Sequence, residues 1–108
     1  MSSTTVARGN AHETFYMAPS LTPTIVSASL TAIQSFQLPG LLTSDVVLPA
    51  GYISSQTTGV FIVEADCLAN NVLTVQFGNC STSAATPAAG VYEFQVVRLE
   101  GPAPTNAV

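Results

Sequence analysis

Lysine is absent from this chain, and arginine occurs only twice, as Arg8 and Arg98. Charged residues make up 7% of the 108, against about 25% in ordinary soluble domains. Six acidic residues leave a formal net charge of −4. Two separated arginines supply no basic stripe, which argues against nucleic-acid binding and against polybasic attraction to anionic membranes. Tryptophan is missing, and His12 is the only histidine. The hydrophobic fraction is 47% and mean hydropathy is +0.43, yet no apolar run approaches the ~20 residues of a membrane helix. The exterior must therefore be built mainly from Ser, Thr, Asn, Gln and Ala. Solitary β-proteins usually guard their sheet edges with charge, lysine above all. With that guard nearly gone, the edges are expected to be paired or covered in an assembly.

Chemistry is equally sparse. His12 falls in a polar leader, so a Ser–His–Asp arrangement would have to recruit it from there, with Asp45 or Asp66 as orienting acid. There is no Gly-x-Ser-x-Gly elbow and no glycine-rich phosphate loop. Zinc needs about four ligands, and Cys67, Cys80 and His12 have no recognised spacing. Glu64 and Asp66 project to one side of a strand, as a glycosidic pair or calcium ligands would, but a solvated strand face accounts for them better. Asn79-Cys80-Ser81 matches a glycosylation sequon. The N-terminus has no apolar signal core, so the chain is expected to be made and retained in a cytoplasm, with its cysteines as thiols and Cys67 as a small buried hydrophobe. No catalytic residue, metal or cofactor is expected.

What is present is β-pattern. One domain is expected for this length. The stretch from Gly59 to Gly78 reads as a hairpin, with two runs rich in β-branched and aromatic residues around Ala69-Asn70-Asn71. Leu73, Val75 and Phe77 alternate with Thr74 and Gln76, the period of a half-buried strand. Val60–Val63 is apolar on both faces, as in a central strand or one covered by a partner. Other strands are expected at 24–28, at 32–38 ending in Pro39-Gly40, at 45–48 stopped by Pro49, from Tyr52-Ile53, and at 91–99. The expected core is Phe36, Leu38, Val47, Ile62, Leu73, Val75, Phe77, Tyr92, Phe94 and Val96. These elements predict an all-β fold, a small antiparallel β-sandwich or jelly roll. An extended N-terminal arm is expected over residues 1–20, the sandwich over 21–100 and a flexible tail over 101–108. The apolar cluster Phe15-Tyr16-Met17 in the arm either tucks onto its own sandwich or docks on a neighbour.

The order of motifs carries a resemblance. Phe-Gln-Leu-Pro-Gly-Leu-Leu leads into Ser-Asp-Val-Val-Leu-Pro over 36–49. Asn-Asn-Val-Leu-Thr-Val-Gln-Phe-Gly-Asn follows at 70–79, and Thr-Pro-Ala-Ala-Gly-Val-Tyr-Glu-Phe-Gln-Val-Val-Arg at 86–98. This resembles the capsid decoration (cement or staple) proteins of epsilon15-like short-tailed bacteriophages. The resemblance implies a jelly-roll-like sandwich on the capsid exterior of a virion, oligomeric (a homodimer favoured, a trimer possible), bridging subunits of the major capsid protein. It contributes no family motif from which site residues carry over. On this view Phe15, Tyr16 and Met17 are the partner-contacting anchors. The alternative is a head-fibre or tail-associated module that binds a receptor or carbohydrate through the loops 52–58 and 79–90, with Tyr52, Ser54 and Ser55 as its contacts.

Overall fold

A computed structural model describes residues 11–52 and 54–100. The described chain is all-β and contains seven strands in two antiparallel sheets. They are β1 (Ala11–Met17), β2 (Ser20–Leu21), β3 (Thr31–Gln37), β4 (Val46–Tyr52), β5 (Val60–Ala69), β6 (Val72–Asn79) and β7 (Gly90–Leu99). In the first sheet β7 is central. Strands β1 and β2 lie end to end along one of its edges, and β4 along the other. In the second sheet β6 is central between β3 and β5.

The period of two decides which side chains meet between the sheets. Tyr92, Phe94 and Val96 of β7 and Leu73, Val75 and Phe77 of β6 are all fully buried in one core. The Phe77 and Tyr92 rings meet edge to face with centroids 6.0 Å apart, so the sheets touch through aromatic rings. Each of these side chains stabilises the fold by roughly 1.5–3 kcal/mol relative to exposure. Every residue of the expected core is either buried or packed against it. Leu21, Val26, Leu41, Val60, Ala65 and Cys67 complete it.

The β5–β6 hairpin turns at Asn70-Asn71 as expected, with Asn71 at φ 68, a region asparagine tolerates. Its side chain and backbone also fix the neighbouring loop. Asn71 Oδ1 accepts from Gly40 N–H at 2.9 Å, and Asn71 N–H donates to Leu41 O at 2.7 Å. Leu41 is thereby delivered to the core.

Four expectations need correction. The stretch expected to be an extended arm is a sheet strand over Ala11–Met17, paired to β7 from Ala11↔Leu99 to Met17↔Phe94. Phe15 and Met17 pack against the core, and that burial pins the strand. Residues 1–10, and the tail expected over 101–108, lie outside the described residues. The strand expected at 24–28 reduces to one bridge, Val26↔Ala85, because the chain turns at Ser29 (φ 57). The strand at 45–48 runs on through Pro49 to Tyr52. It is an edge strand, where proline's missing donor is tolerated, and its register shifts between Pro49 and Gly51. The expected start at Tyr52-Ile53 is the end of this same strand, and Ile53 lies outside the described residues. Of the two readings of Val60–Val63, the central strand is excluded, because β5 lies at the edge of its sheet. A register shift between Ile62 and Glu64 makes Val63 a bulge, which explains why the apolar run there does not alternate.

Candidate functional site

Titratable groups are dispersed over the structure. Among the described residues no three of His, Cys, Asp and Glu come together in an arrangement that could hold a metal ion. His12 sits exposed in the irregular stretch between Ala11 and Glu13 of β1. Neither Asp45 nor Asp66 is a hydrogen-bond partner of it, and Asp45 is engaged elsewhere. Glu64 and Asp66 do share the outer face of β5, next to Gln76 and Thr74 of β6. With Ile33 and Leu68 these four residues line a shallow depression of about 70 Å³, in which Asp66 Oδ1 has no hydrogen-bond partner. Cys67 is buried and Cys80 exposed, both as free thiols. The Cys67 thiol donates to Ala69 O at 3.0 Å.

The strongest charge constellation is structural. Arg98 Nε donates to Asp45 Oδ1 at 2.9 Å and Nη2 to Asp45 Oδ2 at 2.8 Å, a two-pronged grip. Nη2 also donates to Gly40 O at 2.9 Å, and Glu13 lies 3.6 Å from Nη1. The guanidinium carbon stands 5.1 Å from the centre of the Phe15 ring. Hydrogen bonding from Arg98, helped by the Leu42 N–H, holds the Asp45 carboxyl below the usual carboxylate range against the opposing effect of burial. The cluster ties β1, β7 and the loop 38–45 together, and it commits the Asp45 carboxylate to holding them.

Asn79 shows the same commitment at the other end of the molecule. Its buried side chain donates to Val26 O at 3.1 Å and to Ser83 O at 2.9 Å. It accepts from Ser81 N–H at 2.9 Å and from Ser81 Oγ at 2.7 Å. The sequon asparagine is therefore a buried structural hub with its amide hydrogens in use, unsuited to carry a glycan in the folded protein.

Apart from the strand edges, two surfaces stand out as places for a partner. The first is a cleft of about 340 Å³ between the facing edges of β4 and β5, lined by Pro49, Gly51, Tyr52, Gln56, Phe61 and Ile62 among others. Its lining carries no charge. The Tyr52 ring leans on Tyr92 with centroids 4.8 Å apart, and its hydroxyl donates to Ala89 O at 2.8 Å. Tyr52 is thus fixed in place and offers the cleft one side of its ring. Ser54 and Ser55, expected beside it as contacts, are exposed and do not line the cleft.

The second surface is the outer face of the first sheet. Cross-strand pairing aligns Tyr16, Gln95 and Leu48 in one row and Thr14, Val97 and Val46 in the next. Tyr16, Leu48 and Val46 are exposed, Tyr16 at 69%. Of the expected anchors, the structure therefore places Phe15 and Met17 inward and only Tyr16 outward, as the alternation of a paired strand requires. Leu48 and Val46 escaped the sequence reading because they look like the other half of a buried apolar run. The register against β7 is what turns them out.

Neither a family model, nor a curated protein, nor a solved structure matches the chain.

Proposed function

We propose that this chain is a non-enzymatic structural protein of a bacteriophage virion, one that decorates the capsid exterior and cements it by bridging neighbouring subunits of the major capsid protein. The single observation that carries this reading is the outer face of the first sheet. A water-facing sheet surface normally alternates to polar and charged residues. Here it presents Tyr16, Leu48, Val46 and Val97 among Thr14 and Gln95, with Glu93 as the one acid projecting from the middle of β7 on that side. A contiguous apolar and uncharged hydrogen-bonding patch is the composition of a protein-contact surface. The motif resemblance at 36–49, 70–79 and 86–98 supports the capsid as the partner.

The reading takes the two facing sheets as a small sandwich of jelly-roll type. The chain supports it by alternating between sheets, with β2 and β4 in one and β3 and β5 in the other, before β6 and β7 return along the middle of each. Tyr16 is its principal contact, and Phe15 and Met17 act by seating β1. Many copies on one lattice raise effective affinity without strong individual contacts.

The test uses heads of the tailed phage whose genome encodes the chain. The double variant Tyr16→Asp, Leu48→Glu is expected to lose shell binding by at least about tenfold, as removal of a central contact does, while its thermal unfolding stays close to wild type. Undiminished binding overturns the assignment of this face. A receptor- or carbohydrate-binding module of a head fibre or tail is the second reading, favoured by the uncharged cleft beside Tyr52. Saturable binding of a neutral glycan, lost in Phe61→Ser, would replace the first.

A further inference from the structure

The second sheet has two edges, and they differ in protection. The β5 edge carries Glu64 and Asp66 and two register shifts. The β3 edge, Thr-Ala-Ile-Gln-Ser-Phe-Gln, has no charge, no proline and no register shift against β6. Elsewhere β4 contains Pro49 and a shift, β1 contains Glu13 and a shift, and β2 is two residues long. Charges, prolines, bulges and shortness are the devices that keep strand edges from pairing. Of the described edge strands only β3 has none of them.

The backbone geometry shows which groups this edge offers. Leu38 N–H donates to Asn71 O and Leu30 O accepts from Asn79 N–H, so even-numbered residues direct their backbone groups toward β6. In a regular antiparallel pair the alternate residues point the other way. Ile33 and Ser35, with Thr31 and Gln37 at the ends, therefore present N–H and C=O to the open side. The crossing segment near Thr24 leaves them free. It is held instead through the Gln34 side chain, whose Oε1 accepts from Thr24 N–H at 2.8 Å and whose Nε2 donates to Thr24 O at 2.9 Å.

Apolar surface gathers at the same edge. Ile33 lies on it, Leu30 precedes it directly, and Ile25 follows Thr24. They are 67%, 60% and 63% exposed, three of the five large apolar residues exposed by more than half among the described residues.

We infer that β3 pairs antiparallel with β3 of a second copy of this chain, joining two three-stranded sheets into one continuous sheet across a twofold axis. Centred on Gln34, the pairing sets Ile33 opposite Ser35 and Thr31 opposite Gln37 of the second copy. Charge selects this partner and this edge. Copies with a net charge of −4 repel each other wherever their acids meet. The acid nearest to Ile33 along its row, Ile33–Gln76–Glu64, is two strands away, about 10 Å and so a screening length distant. A β5 edge meeting its own copy would instead oppose Glu64 and Asp66 to themselves. A homodimer is also what the motif resemblance implies; the β3 edge as its seam is new and rests on the edge chemistry alone. The seam is tested on the purified chain with no shell present, so it and the proposed function can each fail without the other.

The experiment combines sedimentation equilibrium of the full chain, from micromolar to millimolar, with amide hydrogen exchange at both extremes. A dimer is expected. The Ile33 and Ser35 amides, which point away from β6, should exchange at least about tenfold more slowly in the dimer than in the dilute monomer. Ser35→Pro removes an outward donor without touching the β6 ladder, and Ile33→Lys adds the missing edge charge. Each should give a folded monomer, with the β6 amides still protected. A wild-type chain monomeric at millimolar concentration overturns the inference. So does a dimer in which the Ile33 and Ser35 amides exchange as fast as in the monomer, or one that survives both substitutions.

Discussion

The two ends of the molecule are locked by opposite chemistries. At the end where β7 finishes, Arg98 clamps Asp45, reaches Gly40 O and neighbours Glu13 and Phe15. At the end where β6 finishes, the locks are neutral. Asn79 joins Val26, Ser81 and Ser83, while Tyr92 Oη donates to Ala88 O at 2.6 Å and accepts from Gln56 Nε2 at 2.9 Å. Gln56 Oε1 in turn accepts from Ala88 N–H at 2.6 Å. Both ends close the core, yet only one uses charge. A chain with two arginines and no lysine spends one of them on internal order, so little basic charge is left for its exterior. The contrast also separates the conditions that open each end, acid for the first and alkali for the second.

The largest effect is expected at the neutral end. Asn79→Ala removes four hydrogen bonds and leaves the Ser81 N–H without its partner, while Ser83 O keeps the Ser81 hydroxyl and Val26 O keeps the Ala85 N–H. A loss of about 2–3 kcal/mol follows from the lost hydrogen bonds together with the one unpaired N–H, read as a lower midpoint in urea unfolding. A loss under about 1 kcal/mol would mean that the loops 26–30 and 80–85 are held by something other than this side chain.

Next comes Arg98→Met. The folded-state pKa of Asp45 lies below its unfolded value, so its contribution is full above about pH 4 and disappears as pH falls through the folded pKa. In the variant burial, which favours the neutral acid, is opposed only by the Leu42 N–H. The deficit relative to wild type should be greatest at neutral pH and shrink on acidification, measured as urea midpoints along a pH series. A deficit independent of pH would show that Arg98 works by packing on Phe15 instead.

Tyr92→Phe is the smallest of the three, about 1 kcal/mol for one lost hydroxyl with its hydrogen bonds. Burial, the main cause, raises the Tyr92 pKa above 10.0, with the Gln56 hydrogen bond acting the other way. Stability from the neutral phenol is therefore present below about pH 10 and lost as pH rises through the folded pKa. Wild type should lose stability in that alkaline range while the Phe variant loses less. Parallel alkaline limbs would place the sensitivity elsewhere.

Much of the fold was legible in the sequence, for an identifiable reason. Leu73, Val75, Phe77 and Tyr92, Phe94, Val96 alternate strictly because β6 and β7 are central strands, buried on one face along their whole length. Legibility fails where the period is broken or missing. Ala11–Thr14 is exposed throughout and shows no pattern, so a paired strand reads as an arm. Val63 is a bulge, so the run around it reads as apolar on both faces although its strand lies at an edge. Val26 reaches the core from a stretch with a single bridge. The Arg98–Asp45 clamp joins residues 53 positions apart, and the pairing of Tyr16 with Gln95 and Leu48 exists only once β1 and β4 flank β7. Of the candidate contacts, composition pointed to an uncharged exterior, but the register of β7 was needed to say which side chains form it.

The most direct measurement of the proposed role is co-sedimentation of the purified wild-type chain with heads of the tailed phage proposed to carry it, followed by counting bound copies. The account predicts saturable binding at a copy number commensurate with the shell lattice, reversed without release of DNA. Heads that pellet free of the chain at every concentration would contradict it.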